Sequence, residues 1–333
     1  MSILYITEQG ATLRKRGNRL FVERQQMPSQ EIPVFKISRI MLFGNINVTA
    51  QAMAMLLDAG IHLSFHSRSG RLRGVLSSTV SRNVFLRVAQ QSRWRDQSYR
   101  LRFARNVVRA KILNQRAVIK RHLRNHPGPD LEQQIHQLEN LIGQIENTQN
   151  LAEVMGVEGR ASAVYFQAFA QMVRSGIVFP GRVRRPPTDP INALLSLGYV
   201  MLGNEIGALL EGMSFDPYLG FLHGLRYGRK SLAMDLLEEF RQPVVDLFTL
   251  SLVNLRVFQP KDFYTHGDGG QRLTENSFRH YLELFENRLR EPFKDEITGR
   301  QVNWRQVVQR QLKTLEDAFL DDLEYQPYLK NKL

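Results

Sequence analysis

The chain has 333 residues, 43% of them hydrophobic, with 45 Lys and Arg against 32 Asp and Glu for a net charge of +13. It has no cysteine, which excludes disulfides, thiolate zinc sites and a cysteine nucleophile together. No stretch reaches the roughly 18 uninterrupted apolar residues of a membrane span, and MSILYITEQG lacks a basic region ahead of an apolar run, so a cytoplasmic chain without a signal peptide is expected.

Residues 1 to about 82 read as a small β-rich domain. SILYITE opens a strand, and ATLRKRGNRLFVER reads as a hairpin turning at Gly17-Asn18. EIPVF, SRIMLFG and NINV are further short apolar runs. TAQAMAMLLDAG reads as a helix, with Thr49 as N-cap and Gly60 just past its end. IHLSFH, the turn SRSG and RLRGVL predict a second hairpin. The runs IMLFG and IHLSFH are apolar enough to call for a partner surface, since so small a domain buries little area alone.

From residue 83 to 333 the period changes and a larger all-α domain is expected, giving an α+β chain of two domains. Leu101, Ala104, Val108, Ile112, Ile119 and Leu123 fall on one face of a long helix interrupted by Gln115. Arg102, Arg105, Arg109, Arg116 and Lys120 form a stripe beside it. NHPGP ends that helix, and DLEQQIHQLENLIGQIEN predicts an acidic antiparallel neighbour. Further helical patterns run to the C-terminus, broken by the loop FPGRVRRPPTDP.

The positive charge is concentrated. Between Arg68 and Arg124 stand 16 Arg or Lys and one acid, Asp96. A block of this kind reads as a surface for a polyanion, most simply nucleic acid, or more plainly as a solvated helix face.

Chemistry is expected where acids interrupt apolar helices. In GFLHGLRYGRKSLAMDLLEEF, Asp235 and Glu238 share a helix face, Glu239 lies about 100° round from Glu238, and His223 stands upstream. Like charges on one face are tolerated where a cation lies between them or water screens them. In GVEGRASAVYF, Glu158 sits among Gly156, Gly159, Ala161, Ser162 and Ala163 at an expected helix start. The dipole favours an acid at such a place, while the small residues admit a close approach. Glu158, His223 and Glu238 would offer two oxygens and one nitrogen, with Asp235 completing the shell or acting through water. That donor set suits Mg²⁺ or Mn²⁺ better than zinc or copper. His122 and His126 have metal-like spacing on a helix but no adjacent acid, His62 and His66 share one face of a predicted strand, and THGDGGQRLT reads as a turn.

An ordered set of segments resembles the CRISPR-associated protein one family, the integrases of CRISPR adaptation. These are GNINVTAQAMAMLLDAGIHLSFHSRSGRLRG, ARNVVRAKILNQ, EGRASAVYF, RRPPTDPINALLSLGY and GFLHGLRYGRKSLAMDLLEEFRQP. The resemblance implies a β-rich N-terminal domain, a helical catalytic domain and a homodimer. It also implies assembly with a small adaptation partner, CRISPR-associated protein two. It implies a divalent metal, Mg²⁺ or Mn²⁺, on Glu158, His223 and Glu238, with Asp235 a second required acid. Glu239 stands where the family often has proline, so Asp235 and Glu239 both remain to be placed.

The expected activity is metal-dependent attack of a DNA 3′-hydroxyl on a repeat-end phosphodiester, inserting short fragments into a CRISPR array, with hydrolysis when water attacks instead. The double-stranded DNA is expected to be held by Arg160, Arg182, Arg184, Arg185 and Lys230. A structure-selective nuclease of branched DNA, or a DNA-binding scaffold with an inactive site, are the competing readings.

Overall fold

The computed structural model describes all residues except 1, 25–26, 69, 78–82, 127–129, 296–297 and 331–333. Its backbone divides into two units, Met1–Ser81 and Arg82–Leu333. The junction and the NHPGP turn thus fall largely outside the described residues.

The first unit is built on β1 (Ser2–Ile6), β2 (Thr12–Arg16), β3 (Arg19–Arg24), β4 (Met27–Pro33), β5 (Ile37–Phe43), β6 (Asn47–Val48), α1 (Ala50–Asp58), β7 (His62–His66) and β8 (Leu72–Leu76). Gly17 takes a positive φ of 56° at the β2–β3 turn, where glycine carries no side-chain penalty. Arg16 therefore pairs with Arg19 and the ladder runs back to Thr12 opposite Glu23. Two four-stranded sheets result, in the orders β1-β5-β7-β8 and β4-β3-β2-β6. The Thr49 side chain accepts the Ala52 N–H at the start of α1. Leu13, Leu20 and Val22 from one sheet, Ile40, Leu42 and Leu63 from the other, and Ala52 and Leu56 of α1 close a common core. The apolar residues of IMLFG and IHLSFH are thus largely consumed within the chain, and their hydrophobicity by itself calls for no partner. Phe35, by contrast, is exposed.

The second unit contains α2 (Val84–Arg95), α3 (Gln97–Asn125), α4 (Glu132–Ile145), α5 (Leu151–Met172), α6 (Pro190–Gly212), α7 (Ser231–Phe240), α8 (Leu247–Asn254), α9 (Glu275–Arg290) and α10 (Trp304–Leu320). It is not wholly helical. β9 (Phe263–Thr265) pairs with β10 (Gln271–Leu273), and β11 (Phe293–Lys294) with β12 (Gln301–Val302). The 29-residue α3 runs against α4, α5 and α7. Between α7 and α8 the chain makes a π-helical turn, Arg241–Asp246. Pro243 lies inside it and has no N–H for the α-helical ladder. Helix α6 is long and apolar enough to cross a membrane by composition, and 56% of its apolar window is buried inside the protein.

The stripe of basic residues on α3 meets the acidic α4. Glu139 receives Arg116 and Lys120, each at 3.2 Å, and Arg105 donates to Thr148. Part of the basic block is therefore engaged within the chain.

Candidate active site

Helix α7 is buried on every side, so its three acids each need a partner. Their directions around the helix send them to three places. Asp235 Oδ2 accepts the backbone N–H of Phe221 at 2.6 Å and of Leu222 at 3.0 Å, and Oδ1 accepts the N–H of His223 at 2.8 Å. The same Oδ1 lies 2.8 Å from His223 Nδ1. One carboxylate therefore shapes the loop before α7 and fixes the imidazole it carries. Asp235 is thereby engaged in positioning this loop and its imidazole. A carboxylate at Nδ1 selects the Nδ1–H tautomer and leaves the lone pair on Nε2. Burial pulls the His223 pKa down, but the Asp235 bond outweighs it and the net direction is up.

Glu239 turns the other way. Its carboxylate accepts from Tyr325 Oη at 2.5 Å, from Gln311 Nε2 at 3.2 Å and from the Tyr328 N–H. Burial pushes its pKa up to about 7 against these bonds. It anchors the C-terminal segment and is no ligand candidate.

Glu238 points at α3 and α5. Lys111 Nζ lies 2.7 Å from Glu238 Oε2 and also ion-pairs with Glu158. Arg241 Nε reaches Glu238 Oε2 at 2.9 Å, its guanidinium 4.3 Å from the Tyr199 ring centroid. Burial opposes charge on Glu238, but Arg241 and Lys111 hold its pKa far below the usual range. Glu158 is lowered too, Lys111 overcoming burial and the neighbouring Glu238. The Ser162 hydroxyl donates to Glu158 at 3.0 Å. Glu158 and His223 keep 20% and 25% of their side chains exposed, whereas Glu238 and Lys111 keep 4% each. The site thus opens on its Glu158–His223 side.

Glu158 lies eight residues into α5, which starts at Leu151 behind an Asn150 N-cap, so it does not sit at a helix start. Gly156 and Gly159 face open space, with nothing within 4 Å of a Cβ built on either. Glu238 is thus within electrostatic reach of Glu158 on α5 and of His223 in the loop before α7.

Among the described residues, no three of His, Asp and Glu stand at metal-holding distances from one point. The cation on which Glu158 and Glu238 converge is the Lys111 ammonium. The donor set nonetheless fits a hard divalent ion, with two charged carboxylates beside an imidazole whose tautomer is set for ligation.

Lys111 escapes a reading of the sequence that counts it within the basic block. Its signal is position, since it falls on the buried side of α3 between Val108 and Gln115.

The expected DNA contacts are mostly engaged elsewhere. Arg182 donates to Asn192 at 2.8 Å and Ser196 at 3.0 Å and lies against the Tyr199 ring, bracing the loop before α6. Lys230 pairs with Glu211 at 2.7 Å, and Arg160 donates to Gln144 at 3.0 Å. Arg184 and Arg185 are exposed. His66 is buried and bonded to Ser64 and Gly70, and His122 is buried with its pKa lowered to about 4, chiefly by burial. Neither histidine pair belongs to the site.

Behind Arg241, Asp246 accepts from the Tyr199 hydroxyl, and burial pushes its pKa up to about 6 from 3.8. A raised carboxyl stabilises the fold below its unfolded pKa and loses that contribution as pH rises through the folded one. Asp246→Asn should therefore gain stability relative to the parent between pH 4 and 7, by about 3 kcal/mol at the plateau. Urea unfolding at several pH values reads this, and parallel profiles would disprove it.

Residues 4–287 match the family model described as CRISPR associated protein Cas1. The CRISPR-associated endonuclease Cas1 3 of Thermus thermophilus is 32% identical over 333 residues, spanning 98% of this chain and 97% of that one. The CRISPR-associated endonuclease Cas1 2 of Rhodospirillum rubrum is 33% identical over 315 residues, spanning 89% and 90%. Of solved structures, a Cas1 protein from Thermotoga maritima matches with a TM-score of 0.82 at 26% identity, over 96% of this chain and 97% of that one. A casposase bound to integration product matches in fold with a TM-score of 0.85 at 24% identity, over 100% and 93%. These matches define the class, a CRISPR-associated protein. More particularly, the chain belongs to the Cas1 family.

Proposed function

We propose that this protein is a divalent-metal-dependent DNA endonuclease and integrase that inserts short DNA fragments into a CRISPR array. The observation that carries the reading is the convergence of Glu158 and Glu238 on one cation position, beside an imidazole held by Asp235. The endonuclease name of its relatives supports the reaction class. A bound Mg²⁺ or Mn²⁺ would polarise the attacking oxygen and offset charge on the phosphate.

The chain's own residues supply the rest. Glu158 and Glu238 stay ionised and ready to ligate. His223 presents Nε2. Arg241 keeps positive charge at the buried end of the site, and Lys111 occupies the place between the carboxylates that a metal held by Glu158 and Glu238 would take. No protein nucleophile is required. A joining assay with a repeat-bearing plasmid and short duplex DNA tests the reading. Cutting of branched DNA without joining would favour a repair nuclease, and neither activity would leave a scaffold.

Sequence-independent binding of DNA should be electrostatic. With about five phosphate contacts, log affinity should fall with log salt at a slope of roughly −3 to −5. Because Arg184 and Arg185 are exposed, replacing both by Ala should reduce the slope by about 2. Arg182→Ala should chiefly lower stability. Filter binding across a salt series checks this, and an unchanged slope refutes the assignment.

We also propose a homodimer, and association with a small adaptation partner. Complexes of Cas1 with Cas2 exist among the structural neighbours. A dimer held by direct contacts between the two chains would survive salt that screens contacts to DNA phosphates. Light scattering at salt high enough to strip DNA should therefore give about twice the 38.5 kDa chain mass. A monomer would mean association through DNA alone.

A further inference from the structure

We infer that the tip of the loop between α6 and α7, Leu225 to Gly228, is a stacking platform for an unpaired nucleobase, with Tyr227 the residue that stacks. The inference rests on the proposed action on DNA and goes beyond it in naming where a strand end is held.

Tyr227 is fully exposed, Leu225 is 60% exposed and Tyr218 44%. With Arg226 and Gly228 they line one open cavity of about 560 Å³. Scattered apolar side chains on a surface need no explanation, but three large ones around one cavity form a patch that calls for an occupant.

The tip is held firmly. Gly228 takes a φ of 71°, which lets the chain turn back. Arg229 donates from its guanidinium to Gly224 O at 2.7 Å and to Ser231 Oγ at 3.1 Å, and its N–H reaches Arg226 O at 3.1 Å. At the loop's base the Leu232 N–H donates to Pro217 O at 2.9 Å. The tyrosine is therefore presented on an ordered turn, and a ligand meets little ordering cost.

Charge and location choose the occupant. Among the described residues no carboxylate lines the cavity, and Arg226 offers a cation for a backbone phosphate. A protein partner would have to bring acids to this basic tip, whereas a nucleic acid carries them already. The same loop carries His223, four residues before Tyr227 and fixed to Asp235. Four residues span at most about 14 Å, the length of about four stacked nucleotides of one strand. Within a duplex the base faces are covered by their neighbours. Only a splayed base offers a face to a tyrosine, and such stacking tolerates any sequence.

The test uses the full chain in EDTA with a duplex bearing a short single-stranded tail. 2-Aminopurine is placed at each of the first four unpaired positions in turn. The wild type should quench one position, and Tyr227→Phe should quench it equally. Tyr227→Ala should lose the quenching and bind the tailed duplex about 5- to 150-fold more weakly. Blunt duplex should bind the wild type and Tyr227→Ala alike. Unfolding curves of Tyr227→Ala should match the wild type, since the side chain makes no buried contact.

Equal quenching and affinity for Tyr227→Ala would overturn the inference while leaving DNA joining intact. A variant changed only in self-association or in binding a protein would make the tip a protein interface and overturn it as well. A wild type that neither binds nor joins DNA would remove the proposed function, and the inference with it.

Discussion

Glu158→Ala, His223→Ala and Glu238→Gln should each reduce metal-dependent DNA joining to background, a loss of at least about 100-fold, without unfolding the chain. The first two side chains stand at the open side of the site and carry little of the core. Glu238→Gln keeps the volume at a buried position where Ala would leave Arg241 and Lys111 facing a void. Asp235→Asn should be milder in chemistry, about 10- to 100-fold, because it acts by orienting an imidazole. It should also loosen the loop of Phe221 to His223, whose N–H groups it holds. Glu239→Gln supplies the contrast. It should lower stability through Tyr325 and Tyr328 and leave the folded fraction able to join DNA. Urea unfolding beside the joining assay separates these outcomes. Wild-type joining by Glu238→Gln would displace the ligand assignment.

Local chemistry made the first unit readable. A glycine at a two-residue turn, a threonine cap and period-two alternation each fix geometry within a few residues, and β2, β3 and α1 follow from them. The start of α5 was harder. Gly156 and Gly159 weaken a helix by about 1 kcal/mol each relative to Ala, which pointed to a boundary near Glu158. The burial of Val154, Val157 and Ala161 carries the helix through both glycines.

The acids of α7 were legible as a group, but their destinations were not. Asp235 finds backbone 12 to 14 residues upstream, Glu238 a lysine on α3, and Glu239 the tail beyond α10. Spacing along one helix gives directions around its axis and carries no information about what distant elements place there. The same limit applied to charge. The arginines of α3 and of the loop before α6 read as a DNA surface, yet Glu139 pairs with Arg116 and Lys120, and Arg182 is hydrogen-bonded to Asn192 and Ser196.

Lys111 offers the sharpest test of how the site is built. Its ammonium is the cation that lets Glu158 and Glu238 share a confined space. Lys111→Met keeps the side chain's length and apolar stem and removes the charge. Two carboxylates are then left facing each other, with Arg241 compensating only the deeper one. Removing one partner of a buried ion pair costs about 3–5 kcal/mol, so Lys111→Met should unfold at markedly lower urea in EDTA. A divalent ion would replace the missing charge. Because metal binding to the folded state alone adds stability with ligand concentration, Mn²⁺ should restore much of the loss. The gain should exceed that of the wild type, where the ammonium must first leave the carboxylates. An equal loss in Mn²⁺ and EDTA would mean that Lys111 supports packing alone. A variant as stable as the wild type in EDTA would mean that the carboxylates do not need the ammonium, and that their convergence on it says nothing about where a metal binds.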